Sequence, residues 1–414
     1  MSLSAAGLGS DLSTREFWMQ PSTQRASYFA AMRRAAPVAC CPPPRFGSFP
    51  AEQRYWAVTR FEDVVHVSRQ PEQFCSGKGV TLDNLPVELL EMSSAFLIMD
   101  APRHTELRRV VSSAFTPRRV AALEEAIDER AKQIVDEFVE AGGGDVTQLA
   151  ARLPLWTISQ MLGMPDSMHA EMWRAVDLLS DGLDVRTDNP ESQMASQMEG
   201  ASAVFGMAAE LATARRHHPT GDLVSVLLEG SFEGRPLTDQ MIGSIFLLFG
   251  FAGNDTTRTA IGHGVRLFAE SPDQWNALRA DVNGTIRAAV EEIFRCATPV
   301  IQFRRTATTS TELNGQAIAE GDQVVLFFES ANQDETEFAH PAQFNIGRDP
   351  NHQVAFGGGG PHFCLGANLA RAELRALFRH LAARCEVLEA GTPDYLASGF
   401  INGISKMDVT LLPV

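Results

Sequence analysis

One stretch of this 414-residue chain decides its fold: Phe356-Gly-Gly-Gly-Gly-Pro-His362-Phe-Cys364-Leu-Gly366. Four consecutive glycines let the backbone turn tightly and approach a flat ligand without interference from side chains. A helical pattern begins at Ala367, and the amide groups and positive end of that helix favour a thiolate at Cys364. The stretch therefore predicts a thiolate that binds a metal. The alternative is a buried cysteine behind a flexible glycine loop.

The composition argues against several classes of partner. Hydrophobic residues make up 44% of the chain, and the mean hydropathy is −0.09, which is ordinary for a globular protein with a sizeable core. The formal net charge of −16 argues against nucleic acid or an anionic membrane surface as a partner. The six cysteines include no CxxC pair, which argues against a zinc site. No window approaches about 18 uninterrupted apolar residues, so we expect no membrane anchor and a cytoplasmic location.

The hydrophobic pattern predicts a mainly α protein with a minor β part. Helical periodicity dominates from about residue 104 to residue 298. The segments after Pro299 are β-rich, and they include an Asn314-Gly315 turn and the β-branched and aromatic run 323–328. No repeat, charge run or linker divides the chain.

Two segments in the N-terminal part of the chain lack the pattern of a regular helix or strand. Residues 1–20 are expected to form a flexible arm, and residues 21–414 a single domain. Residues 80–99 are irregular and apolar, which is typical of a loop that covers a pocket.

A second motif lies in the apolar helical stretch Leu247-Leu-Phe-Gly-Phe-Ala-Gly-Asn-Asp-Thr-Thr-Arg258. Asp255 and Thr256 interrupt its apolar face beside Gly253. A threonine inside a helix can bond the carbonyl four residues back, and a glycine weakens the local hydrogen bonds, so we expect a widened turn. The alternative is a helix with two exposed polar residues.

Two further pairs of residues have helical spacing. Glu292 and Arg295 are three apart, and His104 and Arg108 are four apart, so each pair shares one face of a helix. Pairs of this kind are common and contribute little when they are exposed.

Taken together, these motifs resemble the cytochrome P450 family over most of the chain, from about residue 50 to the C-terminus. The resemblance implies a haem b held between a long central helix and the Cys364 loop, with Cys364 as the axial iron ligand. A thiolate ligand donates electron density and promotes O–O cleavage. The family usually has a phenylalanine seven residues before the cysteine. Here that position is Gly357 and Phe356 lies eight before, so the loop carries one extra residue.

The resemblance also assigns roles to residues at the matching positions. Asp255 and Thr256 would deliver protons during oxygen activation, with Asp255 relaying them from solvent. Cations that would bind the haem propionates are His104, Arg108, Arg305 and His362, with Arg304 as the neighbouring competitor of Arg305. A buried structural cluster would consist of Glu292, Arg295 and Arg348. The substrate pocket would include Leu248, Phe251, Ala252, Ile301 and Phe400.

The function that the resemblance implies is a monooxygenase that inserts one oxygen atom of O2 into an unactivated C–H bond of an apolar substrate. Similar actinobacterial forms act on sterols, methyl-branched lipids and terpenoid-like chains. Because no flavin or Fe–S segment is present, electrons would come from an acidic ferredoxin and an NAD(P)H-dependent reductase. The ferredoxin would dock near Arg109, Arg371 and Arg375. The alternatives are a peroxygenase driven by H2O2, against which Asp255-Thr256 counts, and a non-catalytic haem carrier or gas sensor.

Overall fold

The computed structural model describes residues 9–46, 52–82, 95–115, 117–181, 183–186 and 189–414. Helices make up most of these ranges, which confirms the predicted fold class of mainly α with minor β. The helices are α1 (Arg15–Trp18), α2 (Ser22–Ala35), α3 (Phe61–Ser68), α4 (Arg103–Ser112), α5 (Pro117–Glu140), α6 (Val146–Leu162), α7 (Asp166–Asp181), α8 (Pro190–His217), α9 (Leu223–Glu229), α10 (Asp239–Glu270), α11 (Pro272–Ala280), α12 (Val282–Ala297), α13 (Phe328–Ala331) and α14 (Ala367–Arg384). None of them is long and apolar enough to cross a membrane.

The strands are short and lie mostly outside the helical region. They are β1 (Val38–Cys41), β2 (Tyr55–Val58), β3 (Phe74–Cys75), β4 (Gly143–Asp145), β5 (Ser231–Phe232), β6 (Arg235–Pro236), β7 (Gln302–Ala307), β8 (Thr311–Leu313), β9 (Gln316–Ile318), β10 (Gln323–Phe327), β11 (Cys385–Ala390), β12 (Asp394–Tyr395), β13 (Ile404–Lys406) and β14 (Asp408–Pro413).

The largest sheet has the strand order β1-β2-β10-β7-β3. Strand β10 pairs in parallel with β2 and antiparallel with β7, and this register places Arg305 opposite Val324. The predicted Asn314-Gly315 turn joins β8 to β9, and both turn residues have a positive φ, 49° and 75°. A two-residue turn of this kind matches the twist of an antiparallel pair. The sheet thus places Arg305 on a strand that borders the central helices.

Helix α10 is the central element of the fold. Its C-terminal half contributes Ala260, Ile261, Val265 and Phe268 to one hydrophobic core, which it shares with α5, α6, α12 and α14. Its N-terminal half contributes Ile242, Ile245, Phe246 and Phe249 to a second core, which it shares with α7, α8 and α9. Between these halves, residues 250–259 join neither core. This middle segment is therefore the part of α10 that faces a site rather than packed side chains.

The prediction of a flexible arm at residues 1–20 is wrong for residues 9–20. Residues 1–8 lie outside the described residues. Leu12, Phe17 and Trp18 are buried. The Trp18 indole Nε1 donates to the carbonyl of Leu12 at 2.9 Å, and its ring stacks on Phe327 with centroids 6.2 Å apart. A helix of four residues is too short to show a hydrophobic periodicity, so the sequence does not reveal this packing.

The expected pocket-covering loop at residues 80–99 is described only in part, because residues 83–94 lie outside the described residues. Residues 95–98 form a turn of 3₁₀ helix, Ala95–Ile98, and Phe96 is buried in the second core. The described end of the loop therefore packs on the same core as α10.

A buried charge cluster joins α12 to the segment that leads to the Cys364 loop. The Glu292 and Arg295 side chains are completely buried, and Arg295 donates to both carboxylate oxygens of Glu292 at 2.8 Å. Arg348 Nε donates to the same carboxylate at 3.0 Å, as does Asn351 Nδ2. Burial alone would lower the pKa of Arg295, but Glu292 holds it above its ordinary value. The three predicted residues thus meet in one place, and Asn351 is an addition that sequence reasoning missed.

We predict that Glu292→Ala lowers the free energy of unfolding by about 3–5 kcal/mol, because it leaves two buried guanidinium groups without their anion. Urea unfolding followed by circular dichroism measures this loss. The matched control is Glu270→Ala, because Glu270 pairs with Arg266 at 2.6 Å on the protein surface. The control should cost about 1 kcal/mol or less. Equal losses in the two variants would contradict a special role for the buried cluster.

Candidate functional site

A largely apolar cavity lies between the middle of α10 and the glycine-rich loop that precedes α14. The structure brings together in its wall seven of the residues predicted from sequence, on α10, β7, α4 and the loop: Leu248, Ala252, Thr256, Arg305, Arg108, His362 and Cys364. Apolar side chains complete the wall, among them Phe96, Leu97, Phe249, Val300 and Phe303. The cavity thus has an apolar body, one thiol and a group of cations.

The glycine-rich loop runs in backbone contact with the end of α3. Gly357, Gly359 and Gly360 have φ values of 98°, 96° and 76°, in the region that favours glycine. A Cβ on Gly360 would collide with the carbonyl oxygen of Ser68, and one on Gly358 would collide with the Ser68 side chain. Glycine is therefore required here both by conformation and by space.

The loop holds Cys364 beside the N-terminus of α14. The Cys364 N–H donates to the carbonyl of Phe356 at 3.0 Å, and the side chain faces the cavity. Burial raises the pKa of the Cys364 thiol, although the N–H groups of Gly366 and Ala367 and the charge of Arg108 oppose this. The helix-end amides thus lower the pKa of Cys364 and favour a thiolate, as predicted, but desolvation of the sulfur within the protein raises the pKa more. A thiolate here needs a cationic partner in the cavity, and a metal ion is such a partner.

Three of the four residues predicted to bind the propionates, Arg108, Arg305 and His362, line the cavity, and His104 contacts His362. Arg305 is buried, and burial lowers its pKa to about 10. Its Nη1 donates only to the carbonyl of Arg304, at 2.8 Å. Arg304 itself points away and donates to the carbonyl of Lys78 at 2.6 Å. Of the two neighbouring arginines, Arg305 is thus the one that lines the cavity.

The rings of the two histidines of this group are in contact, with centroids 4.2 Å apart and planes tilted by 38°. Burial, reinforced by Arg108, lowers the pKa of His104 to about 4, and burial together with Arg305 lowers the pKa of His362 to about 2. The buried Nε2 of His104 has no hydrogen-bond partner in the described part of the chain. Arg108 donates to the carbonyl of Phe363.

None of these four side chains forms an ion pair with a carboxylate within the described ranges. Arg305 is thus a buried charge without a hydrogen-bonded carboxylate, which is unfavourable unless a ligand supplies an anion. A flat dianion with an apolar body, as haem has, fits both the cations and the apolar wall. The residues present therefore fit the predicted cofactor.

Thr256 lies on the cavity side of α10. Its hydroxyl donates to the carbonyl of Ala252 at 2.7 Å, which is the bond to the residue four back that the sequence predicted. Helix α10 remains α-helical throughout, so the expected widened turn is absent. A carbonyl oxygen has two lone pairs, so it can accept the hydroxyl without losing its helical hydrogen bond.

Asp255 faces a different cavity from Thr256. This second cavity has a mixed lining, in which Asp177, Ser180, Arg258 and Asp255 are polar and Ile401 and Ile404 are apolar. The Ser180 hydroxyl donates to Asp255, which is buried, and Asn254 donates to the same carboxylate at 3.1 Å. Burial raises the pKa of Asp255, while the bond from Ser180 lowers it. The acid and the alcohol predicted as a pair are therefore adjacent on α10 but face different cavities.

A second buried acid, Glu373 on α14, was missed by sequence reasoning. It lines the first cavity, and its Oε2 has no hydrogen-bond partner among the described residues. Burial raises its pKa to about 8, opposed by the Thr157 hydroxyl, so this carboxyl is largely protonated at neutral pH. The sequence could have indicated its burial, because Leu369 and Leu377 lie four residues before and after Glu373 on the same helix face. Both leucines are buried.

Three of the residues predicted for the substrate pocket lie elsewhere. Phe251, Ile301 and Phe400 are not among the described residues that line the cavity. Ile301 is completely buried in a separate core with Val325. Phe400 instead packs edge-on against Phe303, which does line the cavity, with ring centroids 5.5 Å apart. Adjacent residues near a strand point in opposite directions, which explains why Val300 lines the cavity and Ile301 does not.

Comparison with known proteins agrees with this geometry. The family model described as Cytochrome P450 matches residues 147–396. The methyl-branched lipid omega-hydroxylase of Mycobacterium tuberculosis H37Rv is 40% identical over 408 residues, which is 97% of this chain and 94% of that protein. The steroid C26-monooxygenase of Rhodococcus jostii RHA1 is 39% identical over 389 residues, which is 92% of this chain and 80% of that protein.

Comparison with solved structures supports the same family. A cytochrome P450 of Mycobacterium marinum, solved in complex with pseudoionone, has a TM-score of 0.93 and 45% identity over 97% of this chain and 98% of that chain. Similarity of this extent in both sequence and structure shows that the chain belongs to the cytochrome P450 family and is a haem-containing monooxygenase.

Proposed function

We propose that this monooxygenase hydroxylates a methyl-branched lipid, a sterol side chain or a terpenoid-like chain, with Cys364 as the thiolate ligand of the haem iron. The observation that carries the proposal is the Cys364 thiol on the wall of an apolar cavity whose arginines form no ion pair with a carboxylate of the described residues. When bound, haem supplies the redox centre for inserting one oxygen atom of O2 into a C–H bond, while the other oxygen atom is released as water.

Arg108, Arg305, His104 and His362 would hold the two propionates. Arg305 is suited to this role because its guanidinium is buried and has spare donors, and Arg–carboxylate hydrogen bonds are strong and directional. His104 contributes an unpartnered Nε2. Propionate charge beside these groups would favour their protonated forms, reversing the effect of burial on the pKa values of the histidines.

Asp255 and Thr256 would move protons across α10. The Asp255 carboxylate accepts from the Ser180 hydroxyl and borders the second cavity beside Asp177 and Arg258, so it can exchange protons on that side. The Thr256 hydroxyl borders the apolar cavity and can present a proton there. Because the two groups face different cavities, a relay requires either rotation of a side chain or an intervening water.

The substrate class rests on the apolar wall and on the relatives. The side chains Phe96, Leu97, Phe249, Val300 and Phe303 offer contacts to a hydrocarbon and no charge to a polar chain. The relatives named for a methyl-branched lipid and for a steroid are 40% and 39% identical, respectively. Both names specify oxidation near a chain end, at an omega position or at C26.

For electron supply we propose an acidic ferredoxin and its NAD(P)H-dependent reductase, in the cytoplasm. Two of the three predicted docking arginines are already neutralised within the described structure: Arg371 pairs with Glu291 at 2.6 Å, and Arg375 with Glu124 at 3.3 Å. Arg109 is exposed in the last turn of α4. The proposed docking contact therefore rests on Arg109.

Replacing the proposed iron ligand tests its assignment. We predict that Cys364→Ser abolishes the thiolate signature in the carbon monoxide difference spectrum of the reduced protein, because a hydroxyl is a poor substitute for the thiolate. Cys40→Ser is the control, since Cys40 is an exposed free thiol. A thiolate signature that survives in Cys364→Ser would reject the assignment.

Removing the cavity-side hydroxyl tests the proton route. We predict that Thr256→Ala forms less product and more peroxide per NAD(P)H consumed. Ser244→Ala is the matched control, because Ser244 bonds the Gln240 carbonyl at 3.0 Å on the same helix and lies away from the cavity. Unchanged coupling in Thr256→Ala would remove this residue from the scheme.

The propionate site is tested by haem retention. We predict that Arg305→Ala weakens haem binding about tenfold or more, because a charge-assisted hydrogen bond contributes about 1.5–3 kcal/mol. The rate of haem transfer to an apo-haem acceptor protein measures the change, with Arg304→Ala made in parallel. If only Arg304→Ala loses haem, the neighbouring arginine holds the propionate instead.

A further inference from the structure

A salt bridge beneath the Cys364 loop has no part in the function proposed so far. Arg371 lies on α14, seven residues after Cys364, and Glu291 lies on α12 beside the buried Glu292. Arg371 donates through Nε and Nη2 to the two carboxylate oxygens of Glu291, at 2.6 and 2.9 Å. Gln353 Nε2 donates to the same carboxylate at 3.0 Å. This two-point geometry fixes the plane and position of the guanidinium.

The guanidinium lies over the ring of Phe356, with 4.3 Å between its central carbon and the ring centroid. Phe294 contacts the same ring, with centroids 4.5 Å apart. Phe356 lines the cavity, and its carbonyl accepts the hydrogen bond from the Cys364 N–H. A rigid chain of contacts thus runs from the salt bridge, through one aromatic ring, to the backbone that carries the sulfur.

Arg371 brings a positive charge to the segment that carries Cys364, because its guanidinium lies over Phe356. The carboxylate of Glu291 balances that charge: burial alone would raise its pKa, but Arg371 lowers it and keeps it ionised. Both side chains are partly buried, with 22% and 28% of their surfaces exposed, so solvent screens them incompletely. The pair is therefore two fixed and opposite charges close to one end of the cavity.

We propose that the Arg371–Glu291 pair, acting through Phe356, is a positioning element that sets the reduction potential of the haem on Cys364. This inference rests on the proposed role of Cys364 as the iron ligand. The competing explanation is that the pair only ties α14 to α12. The two explanations differ because a purely structural tie has no preferred sign of effect on a potential.

The sign follows from electrostatics. Reduction adds one negative charge to the haem site, so a nearby positive charge favours the reduced form and a negative charge disfavours it. Arg371→Gln leaves the Glu291 charge uncompensated and should shift the midpoint potential to a more negative value. Glu291→Gln leaves the Arg371 charge uncompensated and should shift it to a more positive value. The double variant removes both charges and should return close to the unmodified protein.

The experiment is a spectroelectrochemical titration of the full-length haem-loaded protein and these three variants at one pH and one low ionic strength. Arg371→Lys keeps the charge and loses the two-point geometry, so its potential should lie nearer the unmodified value than that of Arg371→Gln. Arg379→Gln is the matched control, because Arg379 lies two turns further along α14 and pairs with Asp128 at 2.9 Å. Its potential should not move.

Shifts of opposite sign in Arg371→Gln and Glu291→Gln would support the proposal. Shifts of the same sign, or no shift in either, would overturn it. If Arg371→Gln does not retain haem, Glu291→Gln alone decides, because an unmoved potential there overturns the proposal and a more positive one supports it. The carbon monoxide spectrum of the unmodified protein separates this outcome from failure of the proposed function, since absence of the thiolate signature would reject Cys364 as the ligand.

Discussion

The close approach of the glycine-rich loop to α3 is the constraint on which the site depends. Gly358 and Gly360 lie against Ser68, with no space for a side chain at either position. This contact sets where the loop turns back, and the turn allows the Cys364 N–H to bond the Phe356 carbonyl. The sulfur thereby faces the middle of α10, the segment that belongs to neither of the two cores beside it. The loop accommodates one residue more than the usual family pattern while still placing Phe356 in the cavity wall.

The buried charges of this protein fall into two groups with different consequences. Around Glu292 the anion and the guanidinium groups satisfy one another, so the cluster is complete without a ligand and holds α12 to the segment that leads to the loop. Around Arg305, no carboxylate in the described part of the chain forms an ion pair with the guanidinium. Since burying unpaired charge is costly, the first group contributes to stability and the second to affinity for an anionic ligand.

Helix α10 separates two environments as well as two cores. Thr256 faces the apolar cavity, whereas Asp255 faces a second cavity that also contains charged residues, and the Ser180 hydroxyl of α7 holds it there. Consecutive residues on a helix point about 100° apart, so one turn can present an alcohol to the substrate side and an acid to the solvent side. Glu373 adds a second acid on the apolar side, and burial keeps it largely protonated.

Local patterns in the sequence determined the fold class, the glycine-loop cysteine, the α10 motif and the pairing of Glu292 with Arg295. Each of these depends on residues that are close in the chain, where spacing alone says which side chains share a face. Tertiary structure decided what depends on distant contacts. It decided that burial outweighs the helix end at Cys364, that Phe303 rather than Phe400 lines the cavity, that residues 9–20 pack, and that Arg371 lies over Phe356. Burial and packing between distant segments set these outcomes, and neither produces a periodic pattern in the sequence.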